Sequence, residues 1–100
     1  MKFSDRVYKI VKKIPSGRVS SYKEVASALD CKAYQAVGNS LNKNPYAPIV
    51  PCHRVVNSDG RIGGFASGVK KKMRILEKEG VKIKDGKVLE FKKVFYKLKK

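Results

Sequence analysis

One hundred residues leave room for one core, and a hydrophobic content of 42% is ordinary for a folded globule. Lysine and arginine number 24 against 8 acidic residues, and the formal net charge of +16 draws in polyanions, nucleic acid above all. A lysine coat suited to heat or salt is the bland alternative. No segment is apolar and long enough for a membrane span or a signal-peptide core, and the two cysteines lack metal-ligand spacing, so a soluble, cytoplasmic chain with reduced thiols is expected.

Ser4 is expected to cap the first helix, with Asp5 in its first turn and Phe3 stapled onto Tyr8. Phe3, Val7, Ile10, Val11 and Ile14 repeat at helical spacing and predict a stripe facing the core. Pro15-Ser16-Gly17 ends that helix, and Arg18-Val19-Ser20 is a short extended link. Ser21-Tyr22-Lys23-Glu24 fits a capping box that opens a helix of about eight residues, with Val25, Ala28 and Leu29 inward. After the turn Asp30-Cys31-Lys32, the next helix is predicted over Ala33 to Asn42, with Ala33, Val37 and Leu41 on one face. Two short helices across a three-residue turn match a helix-turn-helix, whose second helix usually enters a DNA groove. Helical hairpins of this length also occur as plain packing units. The charge favours DNA.

Asn44-Pro45 breaks the helix, and Tyr46 to Val50 leads into a short apolar run. Val55-Val56 and Arg61-Ile62 predict a hairpin around Asp59-Gly60. Gly63, Gly64 and Gly68 flank Phe65-Ala66-Ser67 in a loop that either meets a ligand closely or is ordinary surface. Val69, Met73 and Leu76 mark a last helix ending at Gly80. Glu77 and Glu79 sit in its final turn, where the macrodipole disfavours acids, so a cationic or hydrogen-bonding partner is expected. Val81 to Phe91 predicts a second hairpin around Asp85-Gly86, before a basic tail from Lys92 to Lys100. The expected fold is mainly α with small β hairpins, a winged helix-turn-helix-like single domain over 1–80 with the 81–100 hairpin and tail attached.

The chemistry concentrates in Ile49-Val50-Pro51-Cys52-His53-Arg54-Val55-Val56, where a thiol adjoins an imidazole. A thiolate is the reactive form of cysteine, and a neighbouring histidine can take its proton directly or through one water. Successive side chains on a straight strand point to opposite faces, so direct contact requires a bend, which Pro51 favours by fixing its own φ and restricting Val50.

From Asn44 through Pro51-Cys52-His53-Arg54-Val55 to Gly63-Gly64-Phe65, the sequence resembles the active-site segment of the O6-alkylguanine-DNA alkyltransferases. The Pro-Cys-His-Arg-Val core is highly specific to that family, and the resemblance runs from about Phe3 to Gly80. It corresponds to the family's DNA-binding, catalytic domain only. It implies irreversible transfer of an alkyl group from guanine O6 to a cysteine without a cofactor or a metal. The implied roles make Cys52 the acceptor, His53 the base acting through water, and Glu79 the group that orients His53. Asn44 would brace the active-site loop, and the Tyr22 hydroxyl would donate to guanine N3. Val55 and Ala66 would contact the base through their backbone, with Phe65 and Leu41 also assigned to substrate binding. Arg54 would brace the fold. Tyr34, Gln35, Ala36, Gly38 and Asn39 would meet DNA, double- or single-stranded, as a monomer.

Two positions depart from the family pattern. Gln35 stands where most members carry an arginine that enters the base stack, and Phe65 stands where a tyrosine is common. Cys31, in the turn between helices, reads as structural. Two alternatives stay open: a related lesion sensor that binds damaged guanine without repairing it, and a winged-helix DNA-binding protein with an incidental Cys-His pair. Sensors of that kind lack the cysteine acceptor that Cys52 provides here.

Overall fold

The computed structural model describes residues 2–46, 49–64 and 68–98. The first three helices are α1 (Phe3–Val11), α2 (Tyr22–Ala28) and α3 (Tyr34–Asn42), and they pack on one another. Their inward faces supply Val7, Val11, Val25, Leu29, Val37 and Leu41 to the larger core. Phe3 and Ile10 cover its margin, as the helical stripe predicts. Ser4 does not cap α1. Lys2 holds the cap position without a side-chain bond, and the Ser4 hydroxyl instead meets the Ser40 hydroxyl of α3 at 3.0 Å. Phe3 thereby starts the helix, so it is not placed to staple onto Tyr8, whose own hydroxyl donates to the Ser40 carbonyl at 2.7 Å.

Ser21 does cap α2, its oxygen accepting from the Glu24 amide at 3.0 Å. The reciprocal half of the capping box is diverted, because the Glu24 carboxylate accepts from the Leu98 amide at 2.7 Å. Helix α3 starts one residue later than predicted, and Ser40 rather than Ala33 completes its buried face.

Strand β1 (Ser20–Ser21) runs parallel to β2 (Val55–Val56), pairing Ser20 with Val55 and Ser21 with Val56. This corrects the predicted hairpin of Val55–Val56 with Arg61–Ile62. Val55 and Val56 are both fully buried, which a two-stranded hairpin alone cannot achieve. The 57–61 stretch instead closes a local turn, with Asn57 N donating to Arg61 O at 2.8 Å, and Arg61 bridges to Lys87.

Helix α4 (Val69–Lys78) carries Met73 and Leu76 into a second, smaller core with Val19, Val56, Ile62, Val81 and Val88. Val69 is exposed, and Lys72 takes the buried place on that stripe. Strands β3 (Ile83–Lys84) and β4 (Lys87–Val88) form the expected antiparallel hairpin. Asp85 and Gly86 both take positive φ at 53° and 76°, the twist a two-residue hairpin turn requires. A short α5 (Phe91–Val94) follows, and the tail packs back onto the domain. Val19 N donates to Val94 O at 3.0 Å and Tyr96 N to Val19 O at 2.7 Å, while Leu98 is buried in the larger core. Among the described residues no helix is long and apolar enough to cross a membrane.

Candidate active site

Pro51 sits at φ −81° and ψ 69°, and the Cys52 amide donates to the Val50 carbonyl at 2.8 Å. That is the geometry of an inverse γ-turn, and it supplies the bend a Cys-His pair needs. The chain then makes one 3₁₀ turn over Cys52–Arg54 before entering β2. Asn44 ties down the approach from the other side. Its amide donates to the Val50 carbonyl at 2.8 Å, and its side-chain oxygen accepts from the Tyr46 amide at 2.9 Å. Cys52 and His53 are both buried, at 8% and 4% exposure.

His53 Nε2 lies 3.1 Å from Glu79 Oε1, at the C-terminal cap of α4. Arg54 holds the same carboxylate through two contacts, Nε to Oε1 at 3.0 Å and Nη2 to Oε2 at 2.5 Å. Its remaining nitrogen donates to the Ile14 carbonyl at 2.8 Å. Burial acts to raise the Glu79 pKa, but hydrogen bonds and charge from Arg54 and His53 override it, and the carboxyl sits below its usual range. Burial is also the largest influence on His53 and lowers its pKa, with the Arg54 and Lys72 charges adding to that and Glu79 opposing. A neutral imidazole with Nε2–H directed at a carboxylate keeps Nδ1 as an open acceptor. The arrangement is therefore a buried thiol next to an oriented, uncharged base.

Tyr22 opens α2 with its ring half-buried, and burial followed by the nearby Cys52 charge raises its pKa. Lys72 reaches the same place from α4: its ammonium lies 3.5 Å from the Tyr22 hydroxyl and 3.2 Å from the Gly64 carbonyl. Lys72 is fully buried, and sequence reasoning missed it. The signal was its position four residues before Leu76, on the apolar stripe, although the run Lys70-Lys71-Lys72 reads as solvated surface. Val55 and Leu41 are buried in the same core as Cys52. The expected contacts of Phe65 and Ala66 lie outside the described residues.

The outer face of α3 borders a cleft of about 590 Å³. Tyr22, Tyr34, Gln35, Gly38 and Asn39 line one side and the 57–59 turn lines the other. Ala36 is half-buried on the same helix. A Cβ built on Gly38 would meet nothing within 4 Å, so that stretch of helix surface is bare. Among the described residues no group of three His, Cys, Asp or Glu could hold a metal ion.

Comparison with known proteins bears on the family and the fold. The family model of the 6-O-methylguanine DNA methyltransferase DNA binding domain matches residues 2–81. A methylated-DNA–protein-cysteine methyltransferase of Saccharolobus islandicus is 52% identical over 77 residues, covering 77% of this chain and 50% of the relative. The chain thus spans about half the length of the curated relatives it matches. The Mycobacterium tuberculosis OGT solved in complex with DNA is 40% identical, with a TM-score of 0.76 over 79% of this chain and 50% of that one. S. pombe Atl1, solved in complex with damaged DNA containing O6-carboxymethylguanine, is 32% identical. It covers 97% of this chain and 99% of its own at a TM-score of 0.84, so its likeness includes the tail. By its motif, its fold and these matches, the chain belongs to the 6-O-methylguanine DNA methyltransferase family, through that family's DNA-binding domain.

Proposed function

We propose that this protein repairs O6-alkylguanine in DNA by moving the alkyl group onto Cys52 in a single turnover. The observation that carries this reading is the relay at the Pro51 turn, a buried thiol next to an uncharged imidazole whose Nε2 is held by Glu79. DNA is the partner. The cleft beside α3 is where it docks, and the +16 charge provides phosphate attraction. A guanine stacked in a duplex cannot reach a buried thiol, so the damaged nucleotide is flipped out of the stack.

His53 Nδ1 then takes the Cys52 proton through an intervening water. The sulfur attacks the alkyl carbon, the bond from that carbon to O6 breaks, and its electron pair passes to guanine. Tyr22 gives its phenolic proton to N3, so guanine leaves neutral. Glu79 keeps His53 in the tautomer that can act as base, and Asn44 fixes the Val50 carbonyl just before the turn. Cys31, half-buried beyond α2, is not placed in the relay, so each molecule acts once.

The end-to-end likeness to Atl1 favours one other reading, a sensor that holds the lesion without removing it. Mass spectrometry after incubation with O6-methylguanine DNA separates the two. Repair adds one methyl group to Cys52. Tight binding to lesion DNA with an unmodified Cys52 establishes the sensor, and absence of any lesion preference removes both.

A further inference from the structure

Between α2 and the tail lies a groove that the proposed reaction does not use. It encloses about 540 Å³, with the Phe91 and Phe95 rings and the Lys23, Lys92 and Lys97 side chains among its walls. The tail side of this groove lies beyond the match to the family's DNA binding domain, which ends at residue 81. Lys23 and Ser58 line both this groove and the cleft beside α3, so the two spaces adjoin. Phe91 also backs the turn that separates them: a Cβ at Gly60 would meet its ring at 3.5 Å.

The tail is fixed in place before any ligand arrives. Arg18 donates from Nε to the Val94 carbonyl and from Nη2 to the Phe95 carbonyl, each at 3.1 Å. Its guanidinium also lies 5.9 Å from the centre of the Tyr96 ring. Phe91 and Phe95 meet edge to face, with centroids 5.4 Å apart and planes at 68°. Both rings are half-buried, while Lys23, Lys92 and Lys97 are exposed. Open aromatic surface therefore stands among three ammonium groups. The carboxylate in the same wall, Glu24, accepts from the Leu98 amide, and cations outnumber it.

Lysines beside open aromatic faces suit a single nucleic-acid strand, whose phosphates follow the charges while its bases stack on the rings. A duplex hides its base faces within its own stack, whereas an unpaired nucleotide presents one. The volume falls within the roughly 300–1,000 Å³ of sites for compact ligands, which suits a nucleotide and is too small for a duplex. We propose that this groove is a second DNA contact, holding an unpaired nucleotide of the strand that leaves the α3 cleft. Its phosphates lie on Lys23, Lys92 and Lys97, and its base stacks on Phe95. This rests on the reading that DNA docks beside α3, and it adds the path of single-stranded DNA beyond that cleft. Overhangs, gaps and locally opened duplex supply such a strand.

The test titrates the whole chain with a blunt duplex carrying O6-methylguanine, and with the same duplex extended by single-stranded thymidines from one strand or the other. Wild-type protein should bind one of the extended forms roughly tenfold more tightly than the blunt one, the worth of about one stacked base. Phe95→Leu keeps an apolar side chain without the aromatic face. It should lose that preference and hold the blunt duplex as before. Lys92→Gln combined with Lys97→Gln should lower the salt slope for the extended probe by about 1.4, two single-strand phosphate contacts at ~0.7 each. The slope for the blunt duplex should stay unchanged. Lys12→Gln combined with Lys13→Gln removes equal charge from residues that line neither space, and should keep the preference. Equal wild-type affinity for all the probes overturns the proposal without needing any variant to fold. So does a preference that survives Phe95→Leu, or one that the Lys12 and Lys13 changes remove as fully as those at Lys92 and Lys97. Wild-type protein that binds none of the probes removes the parent reading of DNA docking instead.

Discussion

Glu79 stands where a helix dipole repels a carboxylate, and two neighbours reverse that penalty. Arg54 grips both of its oxygens and His53 meets one of them, so the carboxyl is held below its ordinary pKa. Replacing His53 with Ala should slow transfer by roughly 10²–10⁴-fold, the usual worth of a positioned base. Glu79→Gln should slow it less, since Glu79 acts through His53; single-turnover rates at pH 7 decide the order. The same pair makes an acid-stability prediction. A carboxyl whose folded pKa is depressed contributes stability that is present above its unfolded value and lost as pH falls through the folded one. Wild-type thermal stability should therefore drop below about pH 4.5, and Glu79→Gln should show a shallower drop over that window. Lys72 works in the opposite sense. Its folded pKa of about 8 lies below its ordinary 10.5, so the folded state releases a proton that the unfolded chain keeps, and stability should rise from pH 8 to 10.5. A depression of that size corresponds to on the order of 3 kcal/mol lost at neutral pH. Lys72→Met should accordingly raise the neutral-pH melting temperature and flatten its alkaline rise. Equal melting curves for the two proteins would show that the buried charge costs nothing.

Among the elements, α3 joins the core to the candidate DNA surface. Val37 and Leu41 face inward, while Tyr34, Gln35 and Asn39 face out, with Gly38 between them. Glycine inside a helix costs about 1 kcal/mol relative to alanine. A Cβ at Gly38 meets nothing within 4 Å, so the free protein gains from Gly38→Ala. If DNA seats against that bare stretch, the added methyl stands in its path. Gly38→Ala should therefore melt higher alone yet bind lesion DNA more weakly, as paired melting and titration measurements would reveal. Unchanged affinity would move the docking face off α3. The helices were legible because apolar spacing and punctuation by proline and glycine act locally. The β1–β2 pair was not, since its partners lie 35 residues apart and only tertiary packing brings Ser20 to Val55. Ser4 and Glu24 misled for a related reason: their polar groups found partners on α3 and the tail rather than at the adjacent helix end. In the candidate site, Cys52, His53, Glu79, Asn44 and Tyr22 were named from a motif, and their mutual distances come from the fold. Lys72 escaped notice because a lysine's burial is decided wholly by what folds around it.

For the molecule as a whole, +16 on a body of 12.1 Å radius of gyration is a large self-repulsion. At physiological salt the screening length is about 8 Å, so charges closer together than that act on one another with little screening. Added salt should therefore relieve the folded state while competing with DNA for the same lysines. A protein that neutralises phosphates loses affinity by ~0.9 logarithmic units per contact for each tenfold rise in salt. With six such contacts, binding would weaken roughly 10³-fold between 50 and 200 mM. Over that range the melting temperature of the free protein should rise, and the stabilisation produced by a fixed amount of DNA should shrink, because bound partner stabilises only in proportion to its occupancy. Binding titrations and melting curves in one salt series test both halves. Affinity that barely changes would assign the charge to surface stabilisation, and the α3 cleft would then have to hold DNA by contacts other than phosphate. Reaction with free O6-benzylguanine should vary far less over the same series, since a neutral base offers the positive surface no phosphate. A parallel loss there would place the salt effect on the Cys52 relay itself.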